Sequence, residues 1–152
     1  MVLLSSIFPM DYGSGSSSLT STSATSTVKL LKEYAIDFET GAPLIDETGK
    51  FTIVEGLEAV KVRCWLALNI RRGRWFIYMD VGNKLKDLTG KDYNYVSLNI
   101  QTILEEALID GIYITGIGEI IVTQKDDDFN VEFTVISIYG SYITNTDIRK
   151  GR

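Results

Sequence analysis

Few side chains in this sequence could do chemistry, and their spacing narrows the choice further. Histidine is absent and cysteine occurs once, at Cys64. Without imidazole a Ser–His or Cys–His nucleophile cannot be assembled, and zinc and non-haem iron lose their commonest ligand. Carboxylates remain. Glu105 and Glu106 are neighbours in a segment with helical periodicity, so their side chains diverge by about 100° and cannot flank one glycosidic bond. Asp126-Asp127-Asp128 has the charge of a calcium loop, but no glycine and closing glutamate follow at the required spacing. It reads instead as a hairpin tip. Gly116-x-Gly118 lacks the third glycine and the following helix of a dinucleotide site. Cys64 falls mid-helix among apolar residues and is expected to be a small core hydrophobe. Arg71, Arg72 and Arg74 gather at a helix–strand junction, where they either complement the helix dipole or reach carboxylates of a partner subunit. No catalytic, cofactor or metal site emerges, and the chain is expected not to be an enzyme.

The elements that would carry these residues follow from pattern. The chain has 152 residues, 45% of them apolar and 23% charged, with a net charge of −5. One domain with its own core fits that length and composition. An acidic balance disfavours a nucleic-acid partner. No apolar run approaches the ~18 residues of a membrane span. The start, MVLLSSIFPM, lacks the basic n-region of a signal peptide, so the protein is expected to stay where it is made.

Residues 1–27 form a Ser/Thr-rich arm, expected to be flexible, either a frayed terminus or a tether whose apolar tip of Val2, Leu3, Leu4, Ile7 and Phe8 docks on another subunit. The single domain, 28–152, opens with a strand at Tyr34–Glu39 that turns at Thr40–Pro43 and returns at Phe51–Val54. A helix then runs from about Leu57 to Arg72. Its apolar residues fall in two bands, Leu57, Val60, Cys64, Ala67 and Leu68 on one side and Ala59, Val62, Leu66 and Ile70 on the other. Such a helix is covered on both sides, by its own domain or by a partner. Arg74–Met79 reads as a strand, Asp80–Tyr95 as an irregular connection, and Leu98–Ile109 as a second helix with Ser97 or Asn99 as N-cap. The strands Ile112–Thr123 and Phe129–Tyr139 follow as a hairpin, with a bulge at the glycines. Ile136, Ile138, Tyr139, Tyr142 and Ile143 make the last stretch apolar on both faces, so it either sits centrally in a sheet or offers an edge. The expected class is α+β: two helices on a small mixed sheet, a C-terminal β-hairpin and a flexible N-terminal arm.

The residues Asp37-Phe38-Glu39-Thr40-Gly41, Glu55-Gly56-Leu57-Glu58-Ala59-Val60, Arg72-Gly73-Arg74, Asp80-Val81-Gly82, Leu85 and Leu88-Thr89-Gly90 together resemble a known family. It is that of the baseplate wedge or sheath-initiator proteins of contractile phage tails, in the form found in Gram-positive prophages and R-type bacteriocins. The resemblance covers roughly 34–140. It implies a structural protein present in six copies around the tail tube, the platform for the first sheath ring, located in the particle's baseplate after assembly in the bacterial cytoplasm. Its partners would be the sheath protein, other wedge and hub proteins, and the tube. It further implies that the C-terminal region takes up an arm of the sheath protein by strand addition. That maps onto Val131, Phe133, Val135, Ile136, Ile138, Tyr139, Tyr142 and Ile143. Contacts to baseplate or tube would fall on Arg71, Arg72, Arg74, Leu3, Leu4, Ile7 and Phe8.

Two features depart from the family pattern. Many relatives carry Glu-Pro-Arg after the second helix, used for docking onto the wedge core, where this chain has Asp110-Gly111-Ile112, so that docking contact is not expected here. The long Ser/Thr-rich arm is also not general. Some relatives are labelled lysozymes, which the carboxylate spacing does not support. The alternative is an assembly adaptor or binding module absent from the finished particle. On the sheath-initiator reading, truncation after about Gly140 is expected to leave a folded protein that no longer attaches sheath.

Overall fold

The computed structural model describes residues 27–72 and 82–149. Alternating apolar residues build its centre. In β4, Asp128–Ser137, the side chains of Phe129, Val131, Phe133 and Val135 all point inward and are buried, while Glu132 and Ile136 point out. Their inward face meets Val96, Ile100, Leu104 and Leu108, the stripe that the 3.6-residue period places along one side of α2, Tyr93–Leu108. Val60, Cys64 and Ala67 of α1, Leu57–Asn69, close the same core.

β4 is the middle strand of three. It pairs antiparallel with β3, Ile114–Lys125, on one side and with β5, Gly140–Ile148, on the other. A second, two-stranded antiparallel sheet joins β1, Lys32–Tyr34, to β2, Ile53–Glu55. The chain between them continues the pairing through the isolated bridges Ile36–Pro43 and Ile45–Phe51. The one parallel pairing among the described residues is the bridge Arg71–Asn83. The α+β class stands.

Several boundaries differ from expectation for physical reasons. The last apolar stretch is two strands, not one. Ser137 turns the chain by donating its hydroxyl to the Gly140 carbonyl at 2.6 Å and accepting from the Tyr139 N–H at 3.2 Å. α2 begins at Tyr93, a turn and a half earlier than its apolar stripe suggested, with Asp92 as N-cap residue and neither Ser97 nor Asn99 in that role. The connection before it contains a 3₁₀ turn, Leu85–Leu88, that buries both of its leucines. Near the start of the described chain the strand alternation holds but its sense is inverted: Leu31 and Ala35 face the core, and Tyr34 and Phe38 face out. The hairpin at Asp126–Asp127 and the bulge are as expected, the register shifting between Ile114 and Gly116 and between Ile117 and Ile120. The expected strand Arg74–Met79 lies outside the described residues.

The two bands of α1 are both largely covered from within. Val60, Cys64 and Ala67 are buried, as are Ala59 and Val62 of the opposite band, while Leu66 stays exposed. α1 contacts β1, β2 and α2, and Trp65 donates its indole N–H to the Phe38 carbonyl at 3.0 Å.

Candidate assembly interface

Among the described residues β4 lies between two neighbours, which leaves β3 and β5 at the rims of the sheet. The two rims differ. That of β3 is broken by its register shifts. That of β5 pairs with β4 in unbroken register from Phe129–Ile148 to Ser137–Gly140, and its other side borders a groove of about 720 Å³. The groove is bounded by Tyr142–Arg149 on one wall and by Lys61, Cys64, Trp65 and Leu68 of α1 on the other. Arg71, Asn83 and Lys86 line it further along.

The far wall is held in place by two polar constructions. Asn83, which is buried, caps α1: its amide Nδ2 donates to the carbonyls of Ala67 at 2.8 Å, Leu68 at 2.6 Å and Ile70 at 3.1 Å. Its Oδ1 accepts from the Leu85 N–H at 3.0 Å. These are the carbonyls a helix C-terminus leaves without partners. Gly82 makes the approach feasible. It has φ 110, and a Cβ there would collide with the Ile70 carbonyl. The glycine of the Asp80-Val81-Gly82 run thus marks a cap, which the sequence did not disclose because the capping side chain arrives from outside the helix.

The second construction centres on Arg63. It donates to Glu33 of β1 through Nε at 3.2 Å and Nη2 at 2.9 Å, and to Asp110 through Nη1 at 3.2 Å. It also lies over the Tyr113 ring, 5.3 Å from the centroid. Asp110 in turn accepts from the N–H groups of Ile112, Tyr113 and Ile114 at 2.9, 2.8 and 3.0 Å. Partial burial pushes the Asp110 carboxyl up, but those three donors and Arg63 outweigh it and hold the group below its ordinary value. Asp110 therefore fixes where β3 leaves α2.

The residues singled out from sequence divide sharply. Val131, Phe133 and Val135 are in the middle strand with their side chains in the core, so neither their backbone nor their side chains face an incoming chain. Tyr139 is turned inward as well. It stacks on Tyr113 at 6.3 Å and its hydroxyl accepts from the Leu31 N–H at 2.9 Å, strapping the strand before β1. Tyr142 lines the groove with its ring under Lys61, and its hydroxyl is buried beside Cys64 without a well-formed hydrogen bond. Burial raises the pKa of both groups, that of Cys64 to about 11. Such a thiol is inert as a nucleophile.

Ile136, Ile138 and Ile143 remain exposed, and Ile136 packs over Gly116 and Gly118 on the outer face of the sheet. A side chain at Gly118 would press on Thr134, 3.1 Å away. Arg71 is exposed at the groove. Arg72 is engaged internally, 3.6 Å from Glu106, which Lys84 also reaches at 3.3 Å. Arg74, Leu3, Leu4, Ile7 and Phe8 lie outside the described residues. Among the described residues no cluster of acidic or cysteine side chains is arranged to hold a metal ion, and no helix is long and apolar enough to cross a membrane.

A small α+β domain whose polar side chains fasten its own elements, and which among the described residues keeps a strand edge beside a groove, has the makings of an assembly protein. Residues 32–140 match the family of contractile injection system sheath initiators, and the chain belongs to that family. It is also 31% identical over 112 residues to the phage-like element PBSX protein XkdS of Bacillus subtilis (strain 168), covering 71% of this chain and 75% of that protein. The chain is accordingly a sheath-initiating structural component of a contractile tail, working between the sheath and the baseplate.

Proposed function

We propose that the outer edge of β5 is where an arm of the sheath protein adds as a further strand, joining the first sheath ring to the baseplate. The observation behind this reading is the continuous β5 rim with a groove along it. A strand edge offers main-chain donors and acceptors to any extended segment, so recognition needs little side-chain specificity. β3 is the poorer edge because bulges twist and interrupt pairing. Ile143, exposed on the outer face of β5, would pack against side chains of the added strand, and Arg71 is placed to meet a carboxylate on it. In this reading six copies surround the tube and contact wedge and hub proteins. They assemble in the cytoplasm and act without catalysis.

The test is to close the groove from its exposed rim. Asn69→Trp with Asn145→Trp changes exposed residues and leaves the core alone. Sheath recruitment to purified baseplates, read by electron microscopy, is expected to fall at least tenfold, while Ile121→Lys on β3 leaves it near normal. Normal sheath on the groove-closed variant would overturn the assignment to β5.

A further inference from the structure

The β1–β2 arch carries an apolar face that nothing among the described residues covers. Tyr34 and Ile53 are directly opposite one another in the register. The Tyr34 ring meets the Phe51 ring edge-on at 5.7 Å, and Phe51 bridges to Ile45. The face is therefore continuous. Tyr34, Ile45, Phe51 and Ile53 are each 56–60% exposed. At one end it is bordered by the Lys32–Glu55 ion pair at 2.6 Å. A contiguous apolar surface of this kind marks a contact site.

We propose that this face is covered by the chain's own amino-terminal segment, through Val2, Leu3, Leu4, Ile7 and Phe8. The segment from Met1 to Met10 has no charged side chain, so nothing on it resists burial against four apolar residues. The connection from Pro9 to Ser26 is rich in Gly, Ser and Thr. Unstructured, a chain of about 18 such residues spans roughly 23 Å root-mean-square. The described chain starts at Thr27, and the seven steps from there to Tyr34 span at most about 25 Å. The tether is thus long enough to reach the arch, and a short flexible linker gives such an intramolecular contact an effective concentration in the millimolar range. Contact with its own arch is favoured over contact with a second copy at ordinary protein concentrations. This inference does not depend on strand addition at β5, which lies on the other sheet.

A nitroxide placed on the full chain at Ser6→Cys tests it. Cys64 is buried and its thiol is raised to about 11, so the label goes to the new cysteine. The isolated protein is expected to show broadened methyl resonances of Ile45 and Ile53, unchanged over a tenfold dilution and absent when nitroxide-bearing chain is mixed with isotope-labelled chain that carries no nitroxide. Replacing Val2, Leu3, Leu4, Ile7 and Phe8 with Ser should restore sharp signals. That variant leaves every described residue in place, so failure to fold is not the concern. Sharp signals in the labelled parent, broadening at another surface, broadening only between chains, or broadening only after a partner subunit is added would each overturn the proposal.

Discussion

The two sheets of this molecule use the same alternating code with opposite results. In the C-terminal sheet the inward set of β4 is sealed beneath α1 and α2, and the large apolar side chains left exposed on the sheet's outer face are scattered isoleucines. In the β1–β2 arch Leu31 and Ala35 face the core, while the larger Tyr34 and Phe51, together with Ile53, face away from it. Alternation specifies that two faces differ. It does not specify which one is covered, because cover depends on what else packs nearby. One sheet therefore stabilises the fold, and the other leaves apolar surface for another segment.

The sharpest way to break this contrast is at Phe133. Phe133→Ala opens a cavity at a fully enclosed position and is expected to cost about 3–5 kcal/mol in chemical denaturation. A loss below about 1 kcal/mol would mean that β4 is not the centre of the core. Asn83→Ala strips α1 of three accepted hydrogen bonds and should cost about 1–3 kcal/mol, with faster amide exchange confined to the last turn of α1.

Asp110→Asn should have a smaller effect, one visible in pH dependence. The native carboxyl is held below 3.8, so its ionised form stabilises the fold above that value and loses this contribution as pH falls beneath it. The variant's stability should thus be flatter with pH below about 4. An identical acid slope in both proteins would show that Asp110 is not a main source. Phe51→Ser on the arch, made in the chain whose Val2, Leu3, Leu4, Ile7 and Phe8 are already serine, is expected to change stability by no more than about 0.5 kcal/mol. A cost near that of Phe133→Ala would erase the distinction between the sheets.

How far the sequence disclosed all this depends on range. Patterns internal to one element were legible: the α2 stripe, the Lys125–Asp128 hairpin and the glycine bulge each follow from local spacing. Features made by residues distant in the chain were not. Asn83 caps a helix that ends at Asn69, and Arg63 joins Glu33 to Asp110. The site was legible only in part. Ile143 and Arg71 are exposed as a contact would require, whereas Val131, Phe133 and Val135 have β-strand chemistry that reads alike in a central and an edge position. The split of the last stretch at Ser137–Gly140 decides between the two, and it makes β5 integral. Ile148 is in the core, so truncation after Gly140 would remove a wall of the fold rather than an appendage.

The unbroken β4–β5 ladder also has a mechanical meaning. Hydrogen bonds between antiparallel strands run perpendicular to them. A pull along the axis of β5 loads every pair from Phe129–Ile148 to Ser137–Gly140 in shear at once, whereas a pull across the sheet peels them apart one after another. Under axial tension the strand resists as a whole, so force applied at its end reaches the rest of the domain before the strand slips.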